Sequence, residues 1–207
     1  METNETPARM SDHWWWRPGV RPGRRTYVWH ILFDDQPAVR ELARHCQERV
    51  GAISCLRPVP VEWLHMTALV AGFADEIEDA RVQDMIEAVR ERARPLSPVD
   101  VSVGRLLRSH TEALVLGVNP EHGLDAVHTL LRDAAAATVD AEPPADWTPH
   151  LAVAYSDSDA PAAPVFAAMR PPPEPARVRV GAVHLVSQER VGRAYVWERV
   201  ATVELGG

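Results

Sequence analysis

Val61-Glu62-Trp63-Leu64-His65-Met66-Thr67-Ala68-Leu69-Val70 is the stretch around which the rest of the chain is read. Its β-branched and aromatic residues predict a strand. Strand side chains alternate faces, so His65 and Thr67 are expected on one face with Trp63 and Leu69, and Leu64, Met66 and Ala68 on the other. An imidazole and a hydroxyl about 7 Å apart along a strand suit a ligand with an oxyanion, because one moves a proton while the other donates a hydrogen bond. A His-x-Thr triplet is common by chance and takes its meaning from context. That context stands 85 residues later, in Trp147-Thr148-Pro149-His150-Leu151-Ala152-Val153-Ala154-Tyr155. A second histidine opens a second apolar run, again behind a tryptophan.

The chain of 207 residues, 46% hydrophobic and 25% charged, is large enough to bury a core without metal or disulfide staples. No apolar run approaches the roughly 20 residues that span a bilayer, and the polar N-terminus lacks the apolar core of a signal peptide. The expectation is a cytoplasmic protein without a membrane partner, and a monomer. Cys46 and Cys55 have no metal-site spacing and read as reduced core residues. A net charge of −7 argues against broad nonspecific nucleic-acid binding, though not against a small phosphate ligand. All 22 basic residues are arginine, which removes lysine Schiff-base chemistry and a P-loop lysine and leaves guanidinium forks for phosphate.

Residues 1–12 read as a polar, loosely ordered tail. His13-Trp14-Trp15-Trp16-Arg17-Pro18-Gly19-Val20-Arg21-Pro22-Gly23-Arg24-Arg25 then interleaves aromatic rings with arginines and holds no acid. Two readings stand: a strap whose tryptophans plug a groove, or a surface that stacks bases and grips phosphates. The division is residues 1–24 as tail and strap, and 25–207 as a single two-lobed domain.

Within that domain Thr26 to Phe33 predicts a strand. Asp35 and Pro37 open a helix with an apolar stripe at Val39, Leu42, Ala43, Cys46 and Val50, ended by Gly51. A short strand over Leu56 to Val59 leads to the His65 strand. Asp75 and Glu78 resemble a capping box before a helix striped by Val82, Met85, Ile86, Val89 and Ala93. Strands over Val99 to Leu107 and Ala113 to Val118 flank the Arg108-Ser109-His110-Thr111 turn. A third helix carries Leu124, Val127, Leu131, Ala134 and Ala135, and Glu142-Pro143-Pro144 leads on to the His150 strand. Asp157 to Pro164 and Pro171 to Pro175 read as loops, followed by a hairpin of Arg177 to Ser187 and Ala194 to Leu205. This order is a loose internal repeat, with one histidine strand in each of two lobes facing a cleft.

Two histidines of pKa about 6.5 can hold one proton between them, one as base and one as acid. That suits transesterification or hydrolysis at a ribose phosphate, with hydroxyls and arginines holding the non-bridging oxygens as charge builds. No metal or cofactor is called for, and no third ligand stands at a zinc-site spacing from His65 and His150.

On these residues the chain resembles the 2H phosphoesterase superfamily, in particular its bacterial 2′-5′ RNA ligase-like members. The run Asp12-His13-Trp14-Trp15-Trp16-Arg17-Pro18-Gly19, with Pro149-His150-Leu151-Ala152-Val153-Ala154-Tyr155-Ser156, looks like one branch of that group. The resemblance implies an α+β fold, bilobal, with two antiparallel sheets and flanking helices around a central cleft. It further implies a metal-independent phosphodiesterase acting on RNA termini or nucleotide 2′,3′-cyclic phosphates, with 2′-5′ RNA ligation in some members. Its partners would be RNA ends or a small nucleotide phosphodiester.

Carried over by position, His65 and His150 are the catalytic acid/base pair and Thr67 a phosphate-binding hydroxyl. The departure is Ala152, where the family pattern has Thr or Ser, and a methyl cannot donate to phosphate. Thr148 is a candidate substitute, and Trp63, Tyr155, His30, Trp16 and Arg17 are further substrate-binding candidates. His45, His110, His122, His128 and His184 read as structural or surface residues. The alternative to an enzyme is a nucleotide- or RNA-binding module with weak or no catalysis, motivated by Ala152.

Overall fold

The computed structural model describes residues 7–139 and 146–206; Glu142-Pro143-Pro144 lies outside them. In chain order the elements are β1 (Arg9–Met10), β2 (Arg25–Leu32), α1 (Pro37–Val50), β3 (Leu56–Pro58), β4 (His65–Phe73), α2 (Asp79–Ala93), β5 (Val99–Leu107) and β6 (Ala113–Asn119). There follow α3 (Asp125–Val139), β7 (His150–Ser156), β8 (Ala160–Pro161), α4 (Ala163–Ala168), β9 (Ala176–Val180), β10 (Ala182–Val191) and β11 (Ala194–Glu204). One sheet runs β11-β10-β2-β4 and the other β3-β7-β6-β5-β9, with β1 and β8 as a separate pair. All the pairings are antiparallel, which makes the molecule α+β as expected.

The helices bind the two lobes together. α1 leaves the first sheet after β2 but lies on the second, against β7 and β9; α3 leaves the second sheet after β6 but lies on the first, against β4 and α2. The predicted stripes face inward, with Val39, Leu42, Ala43, Cys46 and Val50 of α1 and Val82, Met85, Ile86, Val89 and Ala93 of α2 all buried. In α3, Val127, Leu131, Ala134 and Ala135 are buried, joined by Leu130 and His128. One contiguous core therefore runs through both lobes. The thiols of Cys46 and Cys55 are free and buried in it.

Several boundaries differ from expectation. Val61–Trp63 forms a single 3-10 turn, and β4 starts at His65. Gln36 occupies the N-cap of α1 in place of Asp35, without a side-chain cap. Asp75 does not cap α2, whose N-cap is Glu78; its carboxylate accepts instead from Arg21 and Arg24. The single strand expected over 177–187 is two strands, β9 and β10, in different sheets. They part at Gly181, whose carbonyl accepts from the amide of Leu205 at 2.7 Å. The stretch expected as a loop over 157–164 contributes β8 and the start of α4.

The N-terminal segment is built into the fold from residue 9. β1 pairs with β8, and the Met10 side chain is fully buried in the core. Burying such a side chain stabilises by about 1.5 to 3 kcal/mol, enough to hold the segment that follows. Trp14 is 5% exposed, whereas Trp15 and Trp16 are about half exposed.

Candidate active site

β4 and β7 lie side by side in space, each at the cleft side of its sheet. Each carries a bulge three residues after its histidine. Opposite β2, Ala68 is the extra residue between the Thr67–His30 and Leu69–Trp29 pairs; opposite β6, Val153 is the extra residue between Ala152–Val115 and Ala154–Leu114. A bulge shifts the facing of every later side chain. His65, Thr67 and Val70 therefore line the cleft from one strand, and His150, Ala152 and Tyr155 from the other, at identical spacing. Leu69, expected on the cleft face, is turned into the core.

Both irregular strands find partners for their carbonyls. The indole N–H of Trp147 donates to the Thr67 carbonyl at 3.0 Å. Gln47 of α1 donates to the Val153 carbonyl at 2.9 Å and to that of Val59 at 2.7 Å. Trp147 is held in turn by stacking on His128, with ring centres 4.8 Å apart.

The two histidines are tied in the same way. His65 Nδ1 donates to the carbonyl of Trp63, and His150 Nδ1 to that of Thr148, each at 2.8 Å. A hydrogen on Nδ1 leaves Nε2, on the opposite edge of the ring, as the atom that takes or gives a proton. Burial lowers both pKa values, that of His65 to about 4 with a further push from His150 nearby. Both rings are therefore neutral at pH 7, and an anion bound beside them would draw a proton onto one.

The cleft encloses about 470 Å³, a volume suited to a small ligand. Its mouth is spanned by residues 13–17. Glu112, before β6, accepts from the Trp15 indole at 2.8 Å and from Arg17, and lies 3.3 Å from His13 Nδ1. Arg190 of β10, in the other sheet, donates to the carbonyls of Trp14, Trp15 and Gly192. Its guanidinium lies 3.9 Å over the Trp16 ring. Because these acceptors are neutral, Arg190 keeps its full positive charge at the cleft mouth. His13 stacks on Tyr155 at 4.2 Å and bonds the Tyr195 hydroxyl at 3.0 Å. Burial, with Arg17 adding to it, lowers the His13 pKa to about 4, and burial pushes the Tyr155 hydroxyl up.

Of the residues singled out in the sequence, His65, His150, Thr67, Tyr155 and Arg17 line this cleft. Trp63 sits in a small adjoining pocket, edge-on to Trp197 at 4.6 Å. Thr148 contributes its carbonyl to His150, and its side chain is not among the lining groups. Trp16 is half exposed beneath Arg190. His30 is fully buried, its ring 4.3 Å from that of His65 and its Nε2 donating to Gln188 Oε1 at 3.0 Å. Among the described residues no group of three or more His, Cys, Asp or Glu side chains gathers as a metal site.

The sequence signature of the 2′-5′ RNA ligase superfamily matches residues 33–192. The chain belongs to that superfamily. The match spans both histidine strands and both lobes, and it carries with it the 2H phosphoesterase resemblance. A phosphodiesterase or ligase-like role is thus the general class of this superfamily member. Solved structures of similar fold include TT0787 of Thermus thermophilus, with a TM-score of 0.66 at 19% identity, covering 88% of this chain and 98% of that one. LigT of E. coli complexed with NADP+ gives 0.66 at 20% identity, covering 89% and 99%. A structure described as a phosphoesterase gives 0.66 at 21% identity, covering 88% and 99%. No curated protein matches the chain in sequence.

Sequence reasoning missed Val70, Glu112, Arg190 and His110 as lining residues of this superfamily cleft. For Glu112 a signal existed: it is an acid beside a turn in a chain whose strap holds arginines and no acid.

Proposed function

We propose that this protein is a metal-independent phosphodiesterase that opens 2′,3′-cyclic phosphates on nucleotides or RNA ends by two-histidine acid/base catalysis. The observation that carries the reading is the matched pair of imidazoles on one cleft, each with Nδ1 held by a strand carbonyl. One Nε2 takes a proton from water as its oxygen bonds to phosphorus. The other gives a proton to the ribose oxygen as its bond to phosphorus breaks, so charge and atoms balance. His65, enclosed between His30 and Trp197, is the base, because the more desolvated ring favours its neutral form. His150 is the acid. Thr67 donates to a non-bridging oxygen, and the charge of Arg190 draws the anion in.

The strap supports a small substrate, since it narrows the mouth through which a long strand would pass. LigT of E. coli, similar in fold, has been solved with 3′-AMP and with phosphate. In this reading the protein is a cytoplasmic monomer without a cofactor, and ligation of 2′-5′ ends runs the same proton transfers with the 5′-hydroxyl of a second RNA end in place of water. Among the described residues no helix is long and apolar enough to cross a membrane.

The test is incubation of the native protein with nucleoside 2′,3′-cyclic phosphates in EDTA, followed by chromatography. Conversion to a single phosphomonoester is expected, and absence of turnover on all four bases and on a cyclic-phosphate-ended oligonucleotide would overturn the proposal. A second reading, a binding module with little catalysis, is favoured by Ala152; ligand binding without product would support it.

A further inference from the structure

Thr67 and Ala152 hold equivalent places on the two histidine strands, so the cleft has a hydroxyl beside one imidazole and a methyl beside the other. The sheet shows what faces that methyl. Ala152 pairs with Val115 of β6, and Val115 pairs with Leu107, the last residue of β5. The chain thus leaves the sheet level with Ala152, and three residues later the turn places His110 on the cleft wall. The His110 ring centre lies 4.7 Å from that of His150, with the planes tilted at 46°. Leu107, Ala113 and Val115 form a small apolar cluster beneath this corner, against which Ala152 packs.

We infer that His110 is a phosphate-binding residue, supplying from the β5–β6 turn the donor that Ala152 lacks. An imidazole N–H at this corner donates to a non-bridging oxygen on the His150 side of the phosphate, opposite the hydroxyl of Thr67. Protonated, it adds a positive charge where negative charge builds. The ligand class is a phosphomonoester or phosphodiester of a ribonucleotide, and the inference rests on the phosphodiesterase reading of the cleft. His30 pairs with His65 at a similar ring distance but is sealed from the cleft, so only the His150 side gains a second imidazole on the cleft wall.

Two readouts separate this inference from that reading. Calorimetric titration of adenosine 3′-monophosphate into the native protein, His110→Ala, Ala152→Thr and the double variant tests binding; turnover of adenosine 2′,3′-cyclic phosphate tests catalysis. His110→Ala is expected to weaken binding about tenfold and slow turnover at least as much. Ala152→Thr should recover most of that loss in the His110→Ala background and add less affinity where His110 is present. Circular dichroism and His110→Gln, which keeps a donor, guard against misfolding; the Gln variant should retain more affinity than Ala. Absence of turnover in the native protein, with the affinity pattern intact, would sink the enzymatic reading and leave His110 as a phosphate ligand. Equal affinity in native and His110→Ala proteins, additive effects of the two substitutions, or absence of binding by the native protein would overturn the assignment.

Discussion

The indole of Trp147 donates its N–H to the carbonyl of Thr67 at 3.0 Å, and so the approach to one histidine strand is pinned to the bulge of the other. The bond ties the two halves of the cleft where a phosphate would straddle them. Trp147→Phe keeps an aromatic ring near His128 and removes the donor together with part of the indole. We expect a stability loss of about 1 to 2 kcal/mol, the cost of leaving a partly buried carbonyl unpaired. A misaligned pair of imidazoles also slows chemistry, so kcat should fall about tenfold or more. Denaturant titration and steady-state kinetics check both, and an unchanged kcat would show that the pin has no role in alignment.

The pH dependence follows from burial. Both rings sit below their usual range, His65 near 4, so the form holding one proton is scarce at neutral pH. Binding of a phosphate anion favours that protonated form and raises the pair. Because kcat/KM reports the free enzyme and kcat the complex, the optimum of kcat/KM should lie on the acid side of the optimum of kcat. The limbs belong to the pair and not to one residue. Coincident optima at or above pH 7 would contradict this.

Glu112 holds three groups of the strap, so Glu112→Gln should loosen it without touching the histidine pair. We expect KM for a cyclic mononucleotide to rise about tenfold, equivalent to about 1.4 kcal/mol, with kcat within threefold. The rate on a cyclic-phosphate-ended oligonucleotide, relative to the mononucleotide, should increase as the mouth widens. A fall in that ratio would mean the strap grips the longer substrate.

Stability should decline in acid. His65 has a folded-state pKa near 4 against about 6.5 in an unfolded chain, so the unfolded state binds more protons between those values. The contribution is present above pH 6.5 and is lost as pH falls toward 4, by up to about 3 kcal/mol for this partly buried ring. Urea midpoints measured from pH 7.5 to 4 should drop across that window, and less steeply in His65→Gln. An equal slope in both proteins would place the titration elsewhere.

Much of this architecture is legible in the sequence because periodicity reports local burial. The stripes of α1 and α2 are read correctly, and so are β5, β6 and the strand character of the segments from His65 and from His150, but not the 3-10 turn at Val61–Trp63. The bulges at Ala68 and Val153 are not, since an extra residue is defined only against the partner strand, and with it went the facing of Leu69 and Val70. Nor does alternation reveal that Gly181 passes the chain from one sheet to the other, because the pattern continues across it. The lining of the cleft is legible as far as His65, Thr67, His150, Tyr155 and Arg17. Glu112, Arg190 and His110 reach the cleft from turns and from the far sheet, and their places depend on tertiary contacts that no local pattern carries.

The central claim, that two imidazoles on one cleft share the proton transfers, is tested most directly by single-turnover hydrolysis of adenosine 2′,3′-cyclic phosphate in EDTA. Native protein, His65→Ala and His150→Ala are compared at matched circular dichroism. Each variant should lose at least 100-fold in rate, in keeping with the 10²- to 10⁴-fold contribution typical of a positioned acid or base. Affinity for adenosine 3′-monophosphate should meanwhile change only a few-fold. Native-like turnover in either variant would contradict the account.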